Sequence, residues 1–260
     1  MISKSERLLI FRFLFSKKSD GYVSIFAWFS IIGISLGVAA IIIVMSVMNG
    51  FRIDLTNRII GLNSHLNIYS FDNEITNKQA DELILNIDNS FFYQHYKSIE
   101  TNGLIIKSNN SKGVMIKGYD AYDKNHYLFN SINMGALIQN PKSEILIGDS
   151  LANEMNLSVG DKVKIAIPKT DKTILGNIPR FKTLEVVGVF DLGLYEYDSN
   201  LIFLSSELVR KLLLYDEDIY NKIEFFTSSP NEIELFKNKV ELETSNLLLN
   251  FYSISWKDQN

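Results

Sequence analysis

The sequence predicts one membrane-spanning helix followed by an α+β domain with mostly antiparallel strands. Three observations carry that prediction. From Tyr22 to Gly50 the chain holds no Asp, Glu, Lys or Arg, and about 20 helical residues suffice to cross a bilayer core. From His65 onward, short runs of alternating apolar and polar residues are interleaved with helical periods, the pattern of an α+β domain. The 260 residues include no cysteine, so the second part must be stable on its apolar core alone.

Residues 5–18, SERLLIFRFLFSKK, mix bulky apolar and basic side chains. Such a segment lies along a membrane face as an interfacial helix or runs straight into the span. Between Ile25 and Met48 there are 13 Ile, Leu, Val and Phe, contributing roughly −5 kcal/mol on an insertion scale with no charge to oppose them. The run is longer than a signal-peptide core and has no small-residue cleavage pattern after it, so an anchor is expected. Residues 1–50 carry five basic residues against two acidic ones, so with a net charge of −4 overall the remaining 210 residues carry −7. The basic flank keeps the N-terminus cytoplasmic and sends the residues after Gly50 across the membrane. The acidic balance there argues against a nucleic-acid partner.

Within the span, Ser30, Gly33, Gly37 and Ala40 form a small-residue stripe containing a GxxxG pair. In lipid, where packing rather than hydrophobic force joins helices, such a stripe marks a face for another helix. Met48, Phe51, Leu55 and Ile59 then continue an apolar stripe with Gly61 as a C-cap, which predicts a stalk of about ten residues, roughly 15 Å, beyond the membrane. The expected segments are 1–21 cytoplasmic or interfacial, 22–50 transmembrane, 51–62 stalk, 63–256 the main domain with 218–255 as a possible subdomain, and 257–260 the start of a link onward.

HLNIYS reads as a strand and TNKQADELILNI as a helix with Thr76 as N-cap. SIETNGLIIKS and KGVMIKGYD are two strands around a turn at 109–113. SEILIG, a short helix capped by Asp149 or Ser150, a Val-Gly-Asp turn and KVKIAIP come next. FKTLEVVGVFD and SNLIFLS are strands, Ser205–Leu214 a helix, NKIEFFTS a strand, NEIELFKNKVELE a helix and LLLNFYSISW a last strand.

One loop differs from the rest. Pro168 and Pro179, two of only four prolines, bound an excursion expected to leave the sheet, because proline cannot donate to a ladder. Ile174, Leu175 and Ile178 are apolar in that excursion, and Lys164, Arg180 and Lys182 make its base basic. Apolar residues on a protruding loop read as a docking surface, and the alternative is a long hairpin whose Ile and Leu fold back on the sheet.

The chain carries no G-x-S-x-G, P-loop, H-E-x-x-H or Gly-rich phosphate loop. The three histidines, His65, His95 and His126, lack the close spacing of a zinc site. No catalytic residue and no metal ligand is therefore assigned.

The order of these features resembles the LolC/LolE family of lipoprotein-releasing permeases, within the wider MacB/FtsX-type group. The residues that carry the resemblance are GYVSIFAWFSIIGISLGVAAIIIVMSVMNGF, R-x-D-L, R-I-I-G-L, H-L-N-I, LIGDSLANEMNLSVGDKVKIAIP, the proline-bounded loop and the closing SWKDQN. The resemblance implies a MacB-type periplasmic core and a non-enzymatic permease subunit in a Gram-negative inner membrane. It implies a LolD-like ATPase partner holding ATP and Mg, a second LolC/LolE-type permease, lipoprotein acyl chains as cargo and a LolA-like periplasmic carrier. A carrier-binding hook would fall on Pro168, Ile174, Leu175, Gly176, Ile178 and Pro179, and a basic pad on Lys164, Arg180 and Lys182. The hook implies a LolC-like or combined LolC/LolE-like subunit. Family members continue with three more membrane helices, so the chain reads as an N-terminal part, a truncated product or half of a split permease. A MacB- or FtsX-like force-transmitting permease and a single-span anchored binding module stay open as alternatives.

Overall fold

The computed structural model describes the chain except residues 1–3, 7, 10–20, 63, 88–89, 123–125, 174–175 and 259–260. The chain divides into two units, Met1–Asn57 and Arg58–Asn260. Most of the basic N-terminal segment lies outside the described residues.

Helix α1 runs without a break over Gly21–Leu62. Its Ile25–Asp54 stretch, with a mean hydropathy of 2.7, is long and apolar enough to cross a membrane, and its side chains are exposed within the chain. An apolar surface of that length left open to solvent would cost far more than a single domain's stability, which is why it requires an apolar surrounding.

The second unit is built on a ten-stranded sheet. Its strands are β1 (Leu66–Ser70), β3 (Gln94–Lys107), β4 (Asn110–Tyr119), β5 (Ile132–Gly135), β6 (Glu144–Gly148), β7 (Lys162–Thr173), β8 (Gly176–Phe190), β9 (Leu201–Ser205), β11 (Lys222–Phe226) and β12 (Phe251–Ser255). A separate two-stranded ladder joins β2 (Ile75–Thr76) and β10 (Ile219–Tyr220). The pairs β3–β4, β4–β9, β9–β6, β6–β8, β8–β7 and β7–β3 close on themselves, so six strands make a ring. Closure removes the two open edges that a six-stranded sheet would otherwise expose. Only β4–β9 and β6–β8 in this ring are parallel.

The ring is filled by alternate side chains, among them Ile105, Ile116, Ile147, Ile165, Val186 and Ile202, all fully buried. Beyond the end of α1, the described residues of the unit include four helices besides a short one, α4 (Tyr195–Asn200), that leads into β9. Two of them, α3 (Asp149–Met155) and α5 (Ser206–Leu213), add Leu151, Met155, Leu208, Val209 and Leu212 to the core of the ring. Ser205 caps α5 by accepting the Leu208 N–H at 3.1 Å. Residue 148, not Asp149 or Ser150, is the N-cap of α3, and Asp149 sits in its first turn.

From β3 the sheet continues outward through β11, β1 and β12. The other two helices, α2 (Asn77–Asn86) and α6 (Ile233–Asn246), cover one face of this arm. Its core combines Leu66, Ile68, Leu83 and Ile84 with Ile223, Phe225, Phe236 and Val240. The late segment 218–255 therefore does not close a core by itself: it shares one with residues 66–87, because β1 lies between β11 and β12. Thr76 caps α2 through a full capping box with Gln79.

Candidate functional site

The proline-bounded segment stays in the sheet. Strands β7 and β8 form one long hairpin in which Lys162–Ile167 pair with Arg180–Glu185, and Asp171–Thr173 pair with Gly176–Ile178. The register shifts between Ile167 and Asp171, so Pro168, Lys169 and Thr170 stand against Pro179 alone. Both prolines fall at this bulge, where no ladder N–H is required of them. The expectation of an excursion out of the sheet is thus replaced by a bulged hairpin. Of the six hook residues, Pro168, Gly176, Ile178 and Pro179 lie on its two strands, whereas Ile174 and Leu175 lie outside the described residues.

The three basic residues do not share a face. Lys164 pairs with Thr183, whereas Lys182 pairs with Ile165 and Arg180 with Ile167. Successive strand residues point to opposite faces, so Arg180 and Lys182 stand on the side of buried Ile165 and Ile167, and Lys164 on the other. Arg180 donates from Nη1 to the Lys211 carbonyl at 3.4 Å, at the C-terminal end of α5, where a cation is favoured. Spacing along the chain could not separate the faces, because the bulge and the register were not legible in it.

On α1, Ser30, Gly33, Gly37 and Ala40 are exposed. A Cβ built on Gly33 or Gly37 meets nothing within 4 Å. The stripe is open within the chain.

A charged cluster went unread in the sequence. Strands β3, β4 and β11 bring Glu100, Lys117, Lys222 and Glu224 onto one face at the root of the arm. Lys222 Nζ lies 2.9 Å from Glu100 and 3.1 Å from Glu224, and Lys117 Nζ lies 3.4 Å from Glu224 and 3.9 Å from Glu100. Tyr119 donates its hydroxyl to Glu224 at 2.6 Å. Burial alone would push the Glu224 carboxyl up, but Lys117, Lys222 and the Tyr119 hydroxyl overcome it and hold the group at about 2. Burial likewise opposes the charged form of Lys222, and Glu224, Glu100 and Tyr69 reverse it, so Lys222 stays protonated well above the ordinary lysine range. The signal was the alternation itself: Lys222 and Glu224 alternate with Ile223 and Phe225 in KIEFF, and here both faces of the strand are buried.

Three members of this cluster, Glu100, Lys117 and Lys222, line a cleft of about 430 Å³ together with Tyr69, Met115, Tyr197 and Leu201. Beside it, Asn221 fills a break in the ladder. On one edge β3 pairs with β11 through Ser98 and with β7 from Leu104. Between them the Asn221 side chain accepts the Glu100 N–H and donates to the Glu100 carbonyl, both at 2.8 Å.

His65 and His126 are buried: His65 Nδ1 accepts the Thr227 N–H at 2.8 Å, and His126 packs within 4.7–5.0 Å of the rings of Tyr96, Tyr119 and Tyr122.

The MacB-like periplasmic core domain family matches residues 27–241. The chain belongs to that family. Within it, the chain is similar to the lipoprotein-releasing system transmembrane protein LolC of Neisseria meningitidis, 29% identical over 80% of this chain and 51% of the relative. LolC of Buchnera aphidicola from Acyrthosiphon pisum is 25% identical over 95% of this chain and 60% of the relative. LolE of Haemophilus influenzae is 26% identical over 84% and 54%. The chain spans about half the length of these curated relatives. The extracellular domain of the noncanonic ABC-type transporter YknZ from Gram-positive bacteria is similar at 13% identity and a TM-score of 0.49, covering 74% of this chain and 100% of that one. The family assignment rests on the sequence match alone. These matches bear out the expected resemblance to the N-terminal part of the LolC/LolE-family permeases.

Proposed function

We propose that the chain is the N-terminal part of a permease subunit in an ATP-driven complex that extracts lipoproteins from the inner membrane and passes them to a periplasmic carrier. The observation that carries this reading is the LolC similarity, which extends over 95% of this chain in the Buchnera aphidicola relative, together with the MacB-like core match over residues 27–241. ATP hydrolysis would belong to a separate partner subunit. In this reading α1 spans the inner membrane with its N-terminus cytoplasmic, its Gly33–Gly37 face meets a second permease helix, and its last turns act as a stalk.

The β7–β8 hairpin is the part we assign to carrier docking. Its length, its bulge at two prolines and the apolar pair Ile174-Leu175 in the sequence between its strands support the assignment, and Arg180 and Lys182 share one face at its base. Lys164, on the other face, would contact the same partner only if that partner straddles the hairpin. A photocrosslinking residue at Leu175 or Ile178 in the complete permease tests the reading. Capture of a LolA-type carrier, above the level obtained from exposed Leu85, is the expected result; equal capture at all three positions would exclude docking at the hairpin.

A further inference from the structure

We infer that the free edge of β12 takes up an extended segment of a partner polypeptide carrying arginine or lysine at alternate positions. Strand β12 ends the ten-stranded sheet, with β1 as its neighbour. The Trp256 N–H reaches the His65 carbonyl at 3.0 Å, and the Phe71 N–H reaches the Asn250 carbonyl at 3.1 Å. Residues 250, 252, 254 and 256 therefore turn their main-chain groups toward β1, and 251, 253 and 255 turn theirs outward. Asp258 Oδ2 accepts the Ser255 N–H at 2.8 Å. The outward N–H groups of Phe251 and Ser253 have no hydrogen-bond partner among the described residues. Native sheets blunt an edge that stays unpaired with charge, proline or a bulge. Strand β5, at the other end, is four residues long with a register shift, whereas Phe251–Ser255, FYSIS, has no charge, no proline and no shift. It has the character of an inner strand.

Charge beside that edge selects the occupant. Ser253 donates its hydroxyl to Glu241 at 2.9 Å, and Ser255 Oγ lies 3.3 Å from Glu234. Both carboxylates stand on α6, two turns and so about 10 Å apart on one side of the helix, and both are exposed. Neither makes an ion pair among the described residues. Two cations stand near and are engaged, Lys237 with Asp258 at 2.8 Å and Lys257 with the Asn231 carbonyl at 2.7 Å. Asp72 accepts from Asn250 Nδ2 at 3.3 Å at the start of the strand. Four carboxylates against two ammonium groups leave the edge at −2. On a strand added here, the residue directly opposite Ser253 exchanges main-chain hydrogen bonds with it and shares its face, so an arginine or lysine at that position meets Glu241. The next residues along face the other side, where Tyr252 and Ile254 are half-buried and exposed Phe71 packs 4.7 Å from the Tyr252 ring. Those positions suit apolar side chains. Main-chain bonding with alternating cationic and apolar side chains is a demand that a polypeptide meets and a lipid or a free cation does not. The edge shares no residue with the hairpin.

The test uses the full chain in dodecyl maltoside and the fluorescein-labelled, amidated peptide Thr-Val-Arg-Val-Arg-Val-Thr, followed by anisotropy at low salt. The peptide should bind saturably and slow amide exchange at Phe251 and Ser253. The same peptide N-methylated at both arginines, which lacks the N–H groups directed at β12, should bind about fivefold or more weakly, as should the peptide with Glu in place of Arg. Glu234→Gln/Glu241→Gln, which keeps an acceptor for each serine, should weaken the Arg peptide about twofold or more while leaving Tm in place. The inference is overturned if the Arg peptide does not bind at millimolar concentration, or if either control peptide falls short of its fivefold loss. It is equally overturned if the double variant weakens binding less than twofold, or if exchange at Phe251 and Ser253 is unchanged. None of these results bears on carrier capture at Leu175 or Ile178, so the two readings fail separately.

Discussion

Replacing Glu224 with leucine perturbs a fully buried carboxylate on which two cations converge. In the native protein Lys117 and Lys222 share Glu224 and Glu100. Without Glu224, Lys222 keeps Glu100 at 2.9 Å, and Lys117 retains only Glu100 at 3.9 Å. One ammonium is then buried and undercompensated, a change that costs about 3–5 kcal/mol. The same contacts also shift the protonation of Glu224. Its carboxyl falls from 4.5 to about 2 on folding, which corresponds to about 3 kcal/mol of stability. Because the folded value is the lower one, this contribution is fully present above the unfolded value of 4.5 and is lost as pH falls toward 2. For a body of this size each kcal/mol moves Tm by roughly 2–4 °C, so Glu224→Leu should lower Tm by roughly 6–20 °C at neutral pH. The assay is thermal unfolding by circular dichroism at pH 7 and pH 3.5, in which the variant's deficit should shrink at the lower pH. The double variant Lys117→Met/Glu224→Leu, which removes the stranded cation, should recover most of the loss. A single variant within about 1 kcal/mol of native at pH 7 would refute the claim that the cluster acts as a compensated unit.

Local geometry gives two further expected outcomes. Gly148→Ala should cost about 2–3 kcal/mol in a urea titration, because a Cβ there would lie 2.1 Å from the Asp198 carbonyl oxygen and backbone cannot yield as a side-chain tip can. Asn221→Ala should destabilise by about 1–3 kcal/mol and specifically accelerate amide exchange at Glu100, whose N–H loses its acceptor in the gap of the β3 ladder.

Much of the element list was legible in the sequence because its signals are local. The capping box at Thr76 and Gln79 marks the start of α2, Ser205 marks that of α5, and the apolar run of α1 needs no partner to be recognised. The short elements were not legible. The two-residue strands β2 and β10 and the edge strand β5 have no period long enough to read. The turn between β3 and β4 forms at Ser108 and Asn109, with Ser108 at positive φ, ahead of the expected 109–113. The β3–β4 register, not the glycine at 113, decides where the chain reverses.

The sites divide along the same line. Composition and local pattern determined the apolar helix, its small-residue stripe and the identity of a proline-bounded segment, since each rests on residues close in sequence. Only the tertiary structure decided that this segment is a bulged hairpin, that Lys164 points away from Arg180 and Lys182, and that residues 66–87 and 218–255 share one core. It alone gathered Glu100, Lys117, Lys222 and Glu224, up to 124 positions apart in number, into one cluster. The physical reason is that strand register and ring closure are non-local: a slip of one residue reverses every side chain's face, and the hydrogen bonds that forbid the slip come from strands distant in the chain.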